Sequence, residues 1–322
     1  MKRNQKNMAL IMAMLLISTG ISGGVAAFAE ESSTVESTTV NSSLTATSSS
    51  SEEELKINAV ALGNALTTEQ KDYTLKELGI KGETPIYTTT GQDLMSFIPD
   101  GGFTADWAVY SSVRMETQKK GSGITVDIAT PKNITKITSA QYQNAAVTAG
   151  ITDAKLTVAS AVPIDGSGAL AGVYKIVEES GGIINRDRVE VAQDEMGVLS
   201  KITEENKDKD GYSDEALNAA QEQAKTELAA KTADGQNLTQ KDIQETVENA
   251  LKSQGIQDVM TSDQVNELTS LMTSMKDKNI FEDFVNQLDL SKAKEQIQEK
   301  SKGLWASIKG FFSGLWDSVT GK

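Results

Sequence analysis

The sequence predicts an α+β protein: a βαββαβ sandwich of the ferredoxin-like, split-βαβ kind, followed by a helical subdomain and a C-terminal amphipathic helix. Three observations carry this. β-type runs and capped helical segments interleave between residues 84 and 178. Past about residue 200 the β signal disappears and helical spacing with caps takes over. Near the C-terminus, eight large apolar side chains recur at helical spacing between Leu304 and Val319.

The elements follow in order. Thr67-Thr68-Glu69-Gln70 has the spacing of a capping box, Tyr73, Leu75 and Leu78 follow it, and Gly79-Ile80 closes the helix. Thr84 to Thr90 is a short β-rich run, and Gln92 to Ile98 a short helix ended by Pro99. The best β-type stretch runs from Trp107 to Thr117, with Val109, Tyr110, Val113 and Met115. Gly123 to Ala129 then alternates, setting Ile124, Val126 and Ile128 on one face. Gly121 and Gly123 between these runs tolerate positive φ, which predicts an antiparallel hairpin. Pro131, lacking an N–H, ends the second strand. Thr138 to Gln141 is another capping box, Gly150 a natural C′ residue, and a helix of about three turns fits between them. Lys155 to Val162 is a further strand, stopped by Pro163 and the Asp165-Gly166 turn. Ser167 is placed to cap a helix carrying Leu170, Val173, Ile176 and Val177. Such a sandwich hosts many unrelated functions, so the fold alone carries no functional vote.

The strings TPKNIT (130–135), QYQNAAVTAGI (141–151) and VASAVPIDGSGALAGVYK (158–175) together resemble the uncharacterised secreted bacterial proteins grouped as domain of unknown function 1002. The resemblance covers roughly residues 55 to 290. It implies an exported protein of Gram-positive bacteria, and it brings no catalytic residues to transfer.

Beyond Gly181-Gly182, Arg186 to Glu204 reads as a helix. Further helices are expected over Asp214–Lys231, Gln240–Gln254, Ser262–Met275 and Ile280–Leu288. Asp210-Gly211, Asp234-Gly235 and Gly255 punctuate them, and Thr239 and Thr261 supply caps. Val265, Leu268, Leu271, Met272 and Met275 form a stripe at helical spacing, the pattern of a core-facing helix. The organisation predicted is 1–29 signal peptide, 30–54 disordered Ser/Thr-rich linker, 55–200 α/β domain, 201–290 helical subdomain and 291–322 amphipathic helix.

The signal assignment rests on Lys2, Arg3 and Lys6, an apolar core from Met8 to Ile17, and an A-x-A site at Ala27-Phe28-Ala29. That core is about ten residues, short of the roughly 20 needed to span a bilayer. Residues 31–54 are Ser/Thr-rich and nearly free of apolar side chains, so they cannot offset their ordering entropy. Without residues 1–29 the chain keeps 28 basic against 45 acidic residues, a net charge of −17. That balance favours solubility and argues against a nucleic-acid partner, which needs a basic face. The chain contains no cysteine and no histidine. Disulfides, thiol nucleophiles, His-dependent triads and HExxH metal sites are therefore excluded. No motif calls for a cofactor. Any catalysis would rest on carboxylates, Lys or Tyr.

The candidate sites are few. Asn206 to Gly211 resembles the opening of an EF-hand loop, but its twelfth position is Leu217 and two lysines interleave with the would-be ligands. Asp93, Asp100, Asp106 and Asp127 fall near strand ends, where a convergent pair would serve as general acid and base for a wall-polymer hydrolase. A Ser–Lys dyad on Lys155 or Lys175 lacks a framing motif. Asn41, Asn133 and Asn237 head glycosylation-type triplets, incidental in a bacterial product.

The strongest functional hint is the tail. Leu304, Trp305, Ile308, Phe311, Phe312, Leu315, Trp316 and Val319 fall within an arc of about 140° at helical spacing. Residues 291–322 hold six Lys against Glu295, Glu299 and Asp317, a local charge of +3. A basic-flanked aromatic face suits a membrane interface or a protein partner. Half-burying eight such side chains contributes about 8 kcal/mol, comparable with the cost of ordering some sixteen residues, so the helix needs a surface. The sequence therefore points to a secreted, non-enzymatic cell-envelope protein whose tail contacts membrane or a partner. The alternatives are a carboxylate-based wall-polymer hydrolase and a self-associating structural protein.

Overall fold

The structure, a computed structural model, describes residues 56–99, 101–119 and 122–287. The signal-type segment, the linker, the tail helix with its eight apolar residues, Asp100 and Asn41 lie outside the described residues. The protein is α+β, with a five-stranded mixed sheet and a series of helices.

The chain runs β1 (Asn58–Gly63), α1 (Thr68–Glu77), β2 (Ile86–Thr89), α2 (Gly91–Phe97), β3 (Ser112–Thr117), β4 (Ile124–Ile128), α3 (Ser139–Thr148), β5 (Ala154–Ala159) and α4 (Gly168–Glu179). It continues through α5 (Arg186–Asn206), α6 (Asp214–Ala233), α7 (Gln240–Ser253), α8 (Ser262–Asp277) and α9 (Ile280–Gln287). The predicted helix starts hold for a local reason. Thr67, Thr138, Thr239 and Thr261 each accept from the N3 backbone while the N3 side chain returns to the cap N–H. Thr90 forms an unforeseen fifth box with Asp93.

The sheet corrects the predicted topology. Its strand order is β2-β1-β3-β5-β4, not the split-βαβ order. β1 was missed because it is buried along nearly its whole length and alanine-rich, so its sequence shows no alternation. It lies between β2, to which it is parallel, and β3, to which it is antiparallel. The expected β3–β4 hairpin does not form. β5 separates the two strands, antiparallel to β3 and parallel to β4. Asp153 holds the crossing, accepting from Gln118 N–H through its carbonyl and from Gly123 N–H through its carboxylate, both at 2.8 Å.

One sheet face presents Ala59, Ala61, Val113, Met115, Leu156 and Val158 to a core that continues through α3 and α4 into α5–α9 as far as Phe284. The opposite face presents Val60, Leu62 and Ala159 to a smaller cluster closed by Leu66 and by Leu78 at the end of α1. The predicted stripe on α8 is core: Leu268, Leu271, Met272 and Met275 are buried. No described helix is long and apolar enough to cross a membrane.

Candidate functional site

β1, β2, β4 and β5 run in one direction. The segments that follow their C-terminal ends therefore gather at one edge of the sheet, the usual place for ligands in open α/β sheets. A cleft of about 300 Å³ opens there, between the loop 101–111, the N-terminus of α4, the end of α2 and the Gln193–Asp194 turn of α5.

The loop was expected to be strand from Trp107 onward, but β3 begins only at Ser112. Two glycines let it lie close. A Cβ on Gly63 would stand 2.2 Å from Val109 O, and one on Gly91 2.2 Å from Thr104 O. Asn64 fastens the same loop, accepting from Val109 N–H at 2.8 Å and donating to Trp107 O at 3.3 Å. The outcome is an aromatic wall: Phe103 packs edge-on to Trp107 with centroids 5.2 Å apart, and Trp107 keeps 46% of its surface exposed.

The floor is polar. Ser167 does not cap α4 as expected; its N–H and hydroxyl both donate to Asp165 Oδ1, and no side chain caps the helix. Ser111, only 3% exposed, lines the cleft. It lies so near the helix start that a Cβ on Gly168 would be 3.0 Å from its oxygen. Gln193 adds a buried amide nitrogen that lies near the Tyr174 hydroxyl without making a hydrogen bond of normal geometry. Burial pushes the Tyr174 phenol well above its ordinary pKa, so that hydroxyl keeps its proton. Asp165 and Asp194 are the charged residues of the lining.

A second polar cluster is sealed between α3, α5 and α6. Lys225 and Glu195 are both fully buried and pair at 2.9 Å. Lys225 also donates to Asn144 O and Thr148 Oγ1, using its three ammonium protons. Glu195 accepts from Gln221 at 2.8 Å and from Thr148 at 2.5 Å. Nearby, Arg188 donates to the last carbonyls of α3, Val147 O and Thr148 O, and stacks over Phe284. Burial lowers its pKa to about 10 despite Asp283 nearby. Burial pushes the Glu222 carboxyl up to about 8, with Lys225 pulling the other way.

Of the residues singled out in the sequence, the described ones lie elsewhere and do not converge, while Asp100, Asn41 and the eight tail residues lie outside the described residues. Asp93 is engaged in the Thr90 capping box and pairs with Lys175 at 3.2 Å. Lys175 also holds Glu179 at 2.8 Å. Asp106 accepts from Thr104 at 2.6 Å, which lowers its pKa, while Asp127 sits on edge strand β4 opposite Thr157. Lys155 is exposed, Asn237 is exposed, and Asn133 donates to Ser160 O. In the EF-hand-like loop Asn206 is buried and accepts from Lys209 at 2.6 Å, and Leu217 is in the core. Among the described residues no three acidic side chains gather as a metal site. Ser111, Trp107 and Gln193 carried no motif. The one legible signal was the glycine-flanked serine before α4.

A family model described as "Protein of unknown function (DUF1002)" matches residues 62–291. The chain is 29% identical over 271 residues to "Uncharacterized protein YpuA" of Bacillus subtilis (strain 168), an alignment covering 81% of this chain and 87% of that protein. No solved structure gives a significant match. With most of its length matched, the chain belongs to the DUF1002 family of proteins of unknown function.

Proposed function

We propose that this is a secreted, non-enzymatic cell-envelope protein that works by binding, with residues 303–322 as its contact to membrane or to a partner protein. The observation that carries the reading is the tail's composition: eight large apolar residues, two of them Trp, spaced for one helical face and flanked by lysines on an otherwise acidic chain. The N-terminal segment supports export, with its basic start, its short apolar core and its A-x-A site. Against the hydrolase alternative stands the use already made of its carboxylates: Asp93 caps α2 and pairs with Lys175, and Asp106 is held by Thr104.

The test is co-sedimentation of the mature chain with anionic liposomes at low salt, with and without residues 303–322. Pelleting of the full chain, lost on truncation and weakened by added salt, is the expected outcome. If both forms stay in the supernatant, membrane contact is rejected. A size that grows with concentration and falls on truncation would assign the tail to self-association.

A further inference from the structure

We propose that a trough along α5 is the resting place of this chain's own residues 303–322, which leave it only when a membrane or a partner takes their apolar face. The inference rests on the reading of that segment as the contact, and adds what it contacts in the free protein.

The cleft does not end at α4. It adjoins a second depression of about 470 Å³, with which it shares Asp165, Ser167 and Gln193. Gln193, Met196, Gly197, Ser200, Lys201 and Glu204 recur at helical spacing on one face of α5 and form a side of that depression. They cover a rise of about 16 Å. Gly197 keeps the middle low, since a Cβ there would meet nothing within 4 Å. Lys136 and Ile137 bound the other side. At the cleft end stand Ile98, Phe103 and Trp107, whose exposed indole offers apolar contact. A long open channel with an aromatic end suits an amphipathic helix, held by anchors one turn apart.

Charge, spacing and tethering select residues 303–322 as the occupant. Residues 30–290 hold 22 basic against 42 acidic side chains, a charge of −20, whereas 291–322 carry +3. Carboxylates outnumber lysines in the lining of the trough, and Lys201 is already held by Glu267. Opposite charge draws the tail to the body. Leu304, Ile308, Phe311, Leu315 and Val319 supply anchors at successive turns over about 23 Å. The described chain stops at Gln287, and residues 288–302 span up to about 50 Å when extended, enough to reach α5. A tethered segment is presented at a millimolar effective concentration, above that of a dilute partner. Because burial of the apolar face only about matches the cost of ordering it, that advantage tips the balance.

The chain has no cysteine, so Gly197→Cys takes a single bimane label, a dye that tryptophan quenches on contact. Emission is compared between the full mature chain and the same chain carrying both Trp305→Leu and Trp316→Leu. It should be lower by about twofold or more with the tryptophans in place, as for a tail seated at least half the time. The ratio should not change with protein concentration, and anionic liposomes should restore the light as they pellet the protein. A label at Lys71→Cys on α1, which covers the opposite face of the sheet, should show no difference. Equal emission with and without the two tryptophans overturns the inference. So does the same loss at Lys71, a loss that grows with concentration, or emission that stays low on pelleted protein. Pelleting on liposomes together with equal emission sinks this inference alone and leaves the tail's membrane contact standing.

Discussion

The two polar clusters are opposites in how they treat their hydrogen bonds. In the seam between α3, α5 and α6, Lys225 and Glu195 are fully buried and each has its partners in the chain. At the sheet edge, the Gln193 amide nitrogen and the Tyr174 hydroxyl are also buried but make no hydrogen bond of normal geometry. Buried polar groups with their partners in place fix how helices pack, whereas those left without partners cost stability. The difference teaches where to look for activity. The seam holds the more conspicuous charges, yet they are spent on one another.

Breaking the seam should have the largest effect. Lys225→Met removes the ammonium that pairs with Glu195 in the core and should cost about 3–5 kcal/mol in urea unfolding. Adding Glu195→Leu should recover part of that loss, because the cost lies in the orphaned charge. An unchanged midpoint for Lys225→Met would show that the seam is not sealed.

Glu222 sharpens the same point through pH. Its folded pKa, about 8, lies above the ordinary 4.5, so the folded protein binds more protons than the unfolded chain between those values. Stability from this group is complete below about pH 4.5 and is lost as pH rises toward about 8. Glu222→Gln should flatten that decline, which is on the order of a few kcal/mol, in unfolding measured at pH 5 and pH 9. An equal decline in both proteins would remove Glu222 as its source.

Cleft substitutions should cost least. Ser111→Ala removes a hydroxyl from the cleft lining and should change stability by under about 0.5 kcal/mol, in either direction. A loss above about 1.5 kcal/mol would mean that the hydroxyl has a structural partner and that the contrast with the seam fails.

Helix boundaries were the most legible part of the fold, because a threonine three residues before Gln or Asp satisfies local donors whatever the tertiary context. Strand pairing was not. The Trp107–Thr117 run looks like strand throughout, but its first five residues are spent on the cleft wall, held by Asn64 some 45 positions earlier. Nothing local marks β1 as central or shows that Asp153 will carry the chain across β5. The site was hidden for the same reason. Serines, one tryptophan and a glycine pair are ordinary residues until the sheet brings them to one edge.

The position of β1 bears on how the chain reaches this state. Its Val60 is paired with Arg114, more than fifty residues later, and the sheet is complete only once β5 arrives. Pairings of such long sequence separation form slowly, since loop-closure entropy comes due before any contact repays it. The helices, built from neighbouring turns, are free to form early. Refolding followed by hydrogen exchange should therefore protect the amides of α6 and α7 before those of β1.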